Sequence, residues 1–260
     1  MTNGRSALVI RSEHLDFLER ALHERVGVLH ARVATIHEVI RRDDALWVTV
    51  DDERGPLLAD ASASLTVATE RERWTIAQII AVAEACMKLR AAGILPSLGG
   101  DQLFIDIAGR ARMHAPIPTP PIDPRSSTRT GPMPNAMRMA TMSPEGAMAR
   151  QPLTPASDVF SLATLLFHAL TGDLPFVDES PMGMLVKIIQ APAPALPTEI
   201  PGLADVVARA LEKTAATRYS DAGTFATALR RCAPDVAEYD EVISDRIVAW
   251  RATAAGRGQS

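Results

Sequence analysis

Three of the six histidines, His23, His30 and His37, fall seven residues apart. On one helix that spacing would gather three imidazoles on a shared face, a donor set suited to a transition metal. The run from Val33 to Ile40 reads as a strand, so the three need not share a face and no metal is expected. Other catalytic signatures are missing. The chain has no G-x-S-x-G for an acyl-transfer serine, no C-x-x-C, and none of its 15 glycines makes the G-x-G-x-x-G that covers nucleotide phosphates.

Composition narrows the classes further. With 260 residues, 47% of them hydrophobic, the chain can fill a large core. A formal net charge of -4, with 27 scattered Lys and Arg, gives no long-range attraction to nucleic acid or to an acidic membrane surface. Cys86 and Cys232 lie far apart inside helical patterns, as buried thiols in a reducing compartment would. No apolar run reaches the roughly 18 to 20 residues that span a bilayer, and Met1 to Arg5 lacks a signal-peptide core, so a cytoplasmic protein is expected.

The elements that would position any site read as follows. Ala7 to Ile10 is a short strand. Ser12 is a plausible N-cap for a helix whose apolar face is Leu15, Leu18, Leu22, Val26 and Leu29. Val33 to Ile40 and Leu46 to Val50 flank Arg41-Arg42-Asp43-Asp44 as a hairpin. A helical piece near Leu57 to Val67 precedes a long helix from Ile76 to Arg90, stopped by Gly93 and Pro96. Leu103 to Ile105 is a strand. Seven prolines between Pro116 and Pro134 make residues 114–142 an irregular loop. Ser157 to Leu170 is apolar nearly all round, as a helix buried among helices would be. Further helices begin at Pro201-Gly202-Leu203 and include Phe225 to Leu229. The tail from Asp235 to Trp250, with Val242, Ile243, Ile247 and Trp250 at helical spacing, is expected to pack on the domain, the alternative being that it docks elsewhere.

One ordered block carries a family signature: Met142-Ser143-Pro144-Glu145, Asp158-Val159-Phe160-Ser161-Leu162, Thr171 to Phe176, and Leu211-Glu212-Lys213 through Arg218-Tyr219. From about Ala7 to Ala233, strongly from Met142 onward, the chain resembles the bacterial branch of the Ser/Thr protein kinases. The resemblance implies an α+β, protein-kinase-like fold, with a truncated small β lobe of about three strands and one helix and a mainly α-helical large lobe. Residues 1–55 would be the small-lobe remnant and 56–233 the large lobe, with the Pro-rich 114–142 as an activation-segment-like loop and 234–260 as a C-terminal helix and tail. It also implies that Glu145 pairs with Arg218 and that Asp158 accepts backbone N–H bonds from the catalytic loop, both scaffold roles.

The resemblance also shows what to look for in phosphoryl transfer: a phosphate cover, a Lys, metal-holding carboxylates and a base. Val9 falls where the family carries the Lys. Glu19 or Glu24 would occupy the place of its partner. Pro96, Ser97 and Leu98 stand where His-Arg-Asp is expected, and Gln102 or Leu103 replaces the metal-binding Asn. Ala115, Pro116 and Ile117 replace Asp-Phe-Gly, leaving Asp101 and Asp106 as the nearby carboxylates open to recruitment. These residues lead to the expectation of a degenerate pseudokinase with no catalytic residues, no metal and no cofactor: no enzyme, but a protein-binding scaffold or regulatory subunit. The alternative is a noncanonical nucleotide-binding transferase with a rebuilt active site. Partners would be another protein or a second copy, engaged through the exposed small-lobe sheet and cleft. Ser126, Ser127, Thr128 and Thr130 are possible phosphosites in the Pro-rich loop.

Overall fold

The computed structural model describes residues 5–11, 14–27, 30–51, 55–96, 98–99, 103–116, 136–148 and 152–257. Among them is a three-stranded antiparallel sheet in the order β1-β3-β2, built from β1 (Arg5–Ile10), β2 (Ile36–Arg42) and β3 (Ala45–Asp51). The expected hairpin is present, shifted toward its turn. Strand pairing continues through Arg42↔Ala45, so the turn is only Asp43-Asp44, and Asp43 takes the left-handed φ of +49° that a short Asp side chain tolerates. Val33 and Ala34 do not belong to β2. They pair with Met113 of β5 (Ala111–Met113), a strand the sequence reading missed.

Helix α1 (Leu15–His23) covers one face of the sheet with Leu18 and Leu22. It is shorter than its apolar spacing suggested. His14 occupies the N-cap position, and Val26 has left the helix to bridge Ile36, while Ser12 and Leu29 lie outside the described residues. The small core under this face contains Ile36, Val39, Leu46, Val48 and Val50, and also Phe104 and Ala115 from much later in the chain.

The second, larger core is helical. Helix α2 (Leu58–Ala63) leads to the 24-residue α3 (Ala68–Ala91), whose Trp74, Ile76, Ile79, Val82, Ala83 and Cys86 are fully buried. Strand β4 (Leu103–Ile105) pairs with β5 beside it. Two short helices, α4 (Ala136–Ala140) and α5 (Pro144–Met148), precede α6 (Pro155–Thr171). Helix α4 lies within the segment expected to be irregular. As its composition requires, α6 is buried on nearly every side; Val159, Phe160, Leu162, Ala163 and Leu166 reach no solvent. Helices α7 (Pro181–Gln190), α8 (Leu203–Ala210) and α9 (Ala222–Cys232) complete the body, and α10 (Val236–Arg257) lies along α3 with Ile243 and Ile247 buried.

Sheet and helical body meet along a seam of backbone contacts. The Ala34 N–H donates to the Met113 carbonyl at 2.8 Å and the Met113 N–H to Arg32 at 2.7 Å. Gly55 sits so close to β4 that a β-carbon would lie 2.2 Å from the Ile105 oxygen, which explains glycine at this crossing. Phe104, 1% exposed, crosses the seam into the small core. Replacing it, Phe104→Ala, should lower the unfolding free energy by about 3–5 kcal/mol in urea titration, because the cavity opens where the two cores join.

Candidate functional site

Glu145 and Arg218, 73 residues apart, form a bidentate pair, with Nη1 to Oε1 at 2.9 Å and Nη2 to Oε2 at 3.0 Å. Helix α5 presents the carboxylate, and the 3-10 turn Ala215–Thr217 delivers the guanidinium. The remaining donors of Arg218 reach the carbonyls of Glu212 at 2.6 Å, Ala156 at 3.0 Å and Lys213 at 3.0 Å. All five N–H groups are therefore used. Ser157 donates to Glu145 Oε1 at 2.6 Å, and the Phe160 ring lies beneath the guanidinium at 5.0 Å. Burial works against the carboxylate's charge, but the hydrogen bonds from Arg218 and Ser157 hold its pKa below the ordinary value. With no donor left for a ligand, this group positions α5 and does not bind substrate.

Of the loop expected to bond Asp158, residues 97 and 100–102 lie outside the described residues. Among the described residues the Asp158 carboxylate accepts from the Arg90 guanidinium, Nε to Oδ2 at 2.7 Å and Nη2 to Oδ1 at 2.8 Å. Arg90 also donates to the carbonyls of Leu153 and Thr154, so it ties the end of α3 to the start of α6. Burial raises the Asp158 pKa and the Arg90 pair opposes that rise.

The upstream positions are apolar or engaged elsewhere. Val9 lies on the outer face of the sheet, 42% exposed, opposite Trp47; the positions of β1 that turn toward the small core are Leu8 and Ile10. No residue of this strand from Ala7 to Ile10 thus offers a cation to the interior. Glu19 on α1 pairs with Arg41 of β2 at 3.1 Å, and Glu24 is the residue that ends α1. Pro96 is half-buried, and Leu98 belongs to the helical core. Ala115 packs in the small core, and the Pro116 carbonyl accepts from Arg25. Asp106 accepts the N–H groups of Ala108 at 2.9 Å and Arg110 at 3.0 Å, a turn role. Ser97, Asp101, Gln102, Ile117, Ser126, Ser127, Thr128 and Thr130 lie outside the described residues.

A charged cluster sits at the seam. Asp51, at the end of β3, accepts the Thr35 N–H at 2.9 Å and Arg112 Nη2 at 2.8 Å, and its Oδ1 lies 2.8 Å from His37 Nε2. Burial pushes the Asp51 carboxyl up, but Thr35, His37 and Arg112 together hold it down at about 2. His37 is engaged here, whereas His30 Nδ1 accepts the Arg32 N–H and His23 closes α1, so the three histidines are not gathered. Among the described residues no group of His, Cys, Asp or Glu could hold a metal. The thiols are not activated: burial raises the pKa of Cys86 well above its ordinary value, and also raises that of Cys232. Nothing local in the sequence joins Asp51 to Arg112, which lie 61 positions apart.

No family model matches the chain. Among curated proteins it is similar to the Ser/Thr-protein kinase PknJ of Mycobacterium tuberculosis, 26% identical over 236 residues, covering 84% of this chain and 38% of PknJ. It is 33% identical over 112 residues to the Ser/Thr-protein kinase PknA of the same organism, covering 42% of this chain and 25% of PknA. A Corynebacterium efficiens protein named Ser/Thr-protein kinases drp72 is 35% identical over 89 residues, covering 34% of this chain and 17% of that protein. The chain thus spans well under half the length of these relatives. This weak, partial homology supports a relationship to bacterial Ser/Thr protein kinases, and the mixed α and β architecture is compatible with it. It also corrects the expectation that the chain is no enzyme: the relatives are named as Ser/Thr protein kinases, which speaks for a kinase enzyme.

Glu145→Ala, which leaves the Arg218 charge buried without its counter-charge, should cost about 3–5 kcal/mol of stability in chemical denaturation. The Asp51 carboxyl is held below its unfolded value, so its contribution is full above that value and is lost as pH falls from about 3.8 toward about 2. Asp51→Asn should flatten that part of the stability-against-pH curve.

Proposed function

We propose that this chain is a kinase-related signalling protein that acts by binding other proteins, as a scaffold or regulatory subunit, on a protein-kinase-like fold. Residues 1–55 form its small lobe, 56–233 its large lobe and 234–260 its C-terminal helix and tail. One observation carries the reading. Of the pairs that hold the helical body, Glu145 with Arg218 is buried and saturated and Asp158 is tied to Arg90, while the interior-facing positions of β1 are Leu8 and Ile10. The contact surface is the outer face of the sheet, where Val9 is 42% and Trp47 39% exposed, with Arg42 over the Trp47 ring. No described strand pairs with the outer edge of β1, so that edge is open to a partner strand or to a second copy. A cytoplasmic setting goes with two free thiols and with no described helix long and apolar enough to cross a membrane.

The relatives' names favour a second reading, a phosphoryl transferase with a rebuilt nucleotide site. The cluster of Asp51, His37 and Arg112 is where charged groups converge at the seam. Calorimetric titration with ATP and Mg²⁺, a γ-phosphate transfer assay and sedimentation of the purified chain separate the two. The binding reading expects a protein complex or self-association that Val9→Asp weakens at least tenfold, the size of one lost apolar anchor. Saturable micromolar ATP binding with phosphate transfer, abolished by Asp51→Asn and untouched by Val9→Asp, would favour the transferase.

A further inference from the structure

Helix α10 is anchored by groups that take no part in the pairs above. Arg73 of α3 donates to Asp235 at 2.6 Å, and Arg246 of α10 donates to Glu70 at 2.7 Å. Between these ends Ile243 and Ile247 are buried on α3, and Trp74 Nε1 lies 3.5 Å from Ser244 Oγ. The fit extends to the turn between β4 and β5. Gly109 there has a φ of +72°, and a β-carbon on it would lie 2.4 Å from the Ser244 oxygen.

From half-exposed Asp240 on α10 a polar path runs through buried Gln78 to the seam. Asp240 accepts from the Gln78 side-chain amide and lies 3.6 Å from Arg32 Nη2. Gln78 is fully buried, and its Oε1 accepts from Arg32 Nη1 at 2.7 Å and from the Ala111 N–H at 2.9 Å. Arg32 in turn accepts the Met113 N–H through its carbonyl, the contact that aligns the lead-in to β2 with β5. Withdrawing Asp240 would leave the amide of the buried Gln78 without its acceptor, an unfavourable state relieved by movement of the groups it joins.

We propose that α10 is an intramolecular strap. Through Gln78 and Arg32, Asp240 sets how firmly the three-stranded sheet is held on the helical body. Displacing α10 loosens the sheet and leaves the packing around α6 in place. This conformational device stands whichever function above is correct.

The test is amide hydrogen exchange on the whole chain, with Asp240→Ala, Gly109→Ala and, as control, Asp245→Asn on the exposed side of α10. Exchange at residues 32–35 and 111–113 should rise about tenfold in both Asp240→Ala and Gly109→Ala, while α6 keeps its rates and the control matches the parent. Seam amides that keep parental rates in Asp240→Ala would overturn the proposal. So would an equal acceleration in α6, since Asp240 would then support the whole fold.

Discussion

Arg218 fixes the geometry on which the helical body depends. A guanidinium cannot shed its charge, so once enclosed it must find an acceptor for every N–H, and here five acceptors come from α5, the start of α6 and the segment after α8. Those stretches cannot shift independently without orphaning a donor. Lys213 extends the arrangement. It donates to the Ile188 carbonyl at the end of α7 and sits 3.4 Å from the centre of the Phe176 ring, where burial pulls its pKa down to about 8. Helices α5, α6 and α7 are thus fixed from one short stretch of chain, residues 212–218.

The sheet is held by weaker and more varied means. Backbone pairing between residues 32–34 and Met113, the Asp51 and Arg112 pair, and the passage of Phe104 into the small core act together. Charge at this seam joins elements to each other, and the inward face of β1 is closed by Leu8 and Ile10. Both facts follow from the same economy: a charged group survives next to a core only when a partner meets it.

Much of this was legible in the sequence, for identifiable reasons. The uniform apolarity of α6, the period of α3 and the tail pattern of Ile243 and Ile247 reported burial directly, because helical burial is a local pattern. The ordered spacing of Glu145, Asp158 and Arg218 pointed to a shared scaffold, and Glu145 and Arg218 do meet. The Arg90 partner of Asp158 gave no sign in the sequence: a long cation at the end of a helix looks the same whether it faces solvent or crosses to the next helix. The two-residue alternation of β1 puts Val9 outward beside Ala7, with Leu8 and Ile10 within. Strand β5 escaped notice because three residues carry too little periodicity.

The dependence of the small core on Phe104 and Ala115 also orders events in time. Strands β1, β2 and β3 and helix α1 are synthesised well before those two residues, so when the sheet first forms part of its inner face has nothing to rest against. A three-stranded sheet with one helix has little apolar area to stabilise it alone, and Phe104 arrives only after the whole of α3. The sheet is therefore made before the helical body and completed late. During that interval an open β-edge and the side chains of Val48 and Val50 are exposed together, and it is then, more than in the finished molecule, that the chain is open to chaperone capture or to pairing with a nascent neighbour.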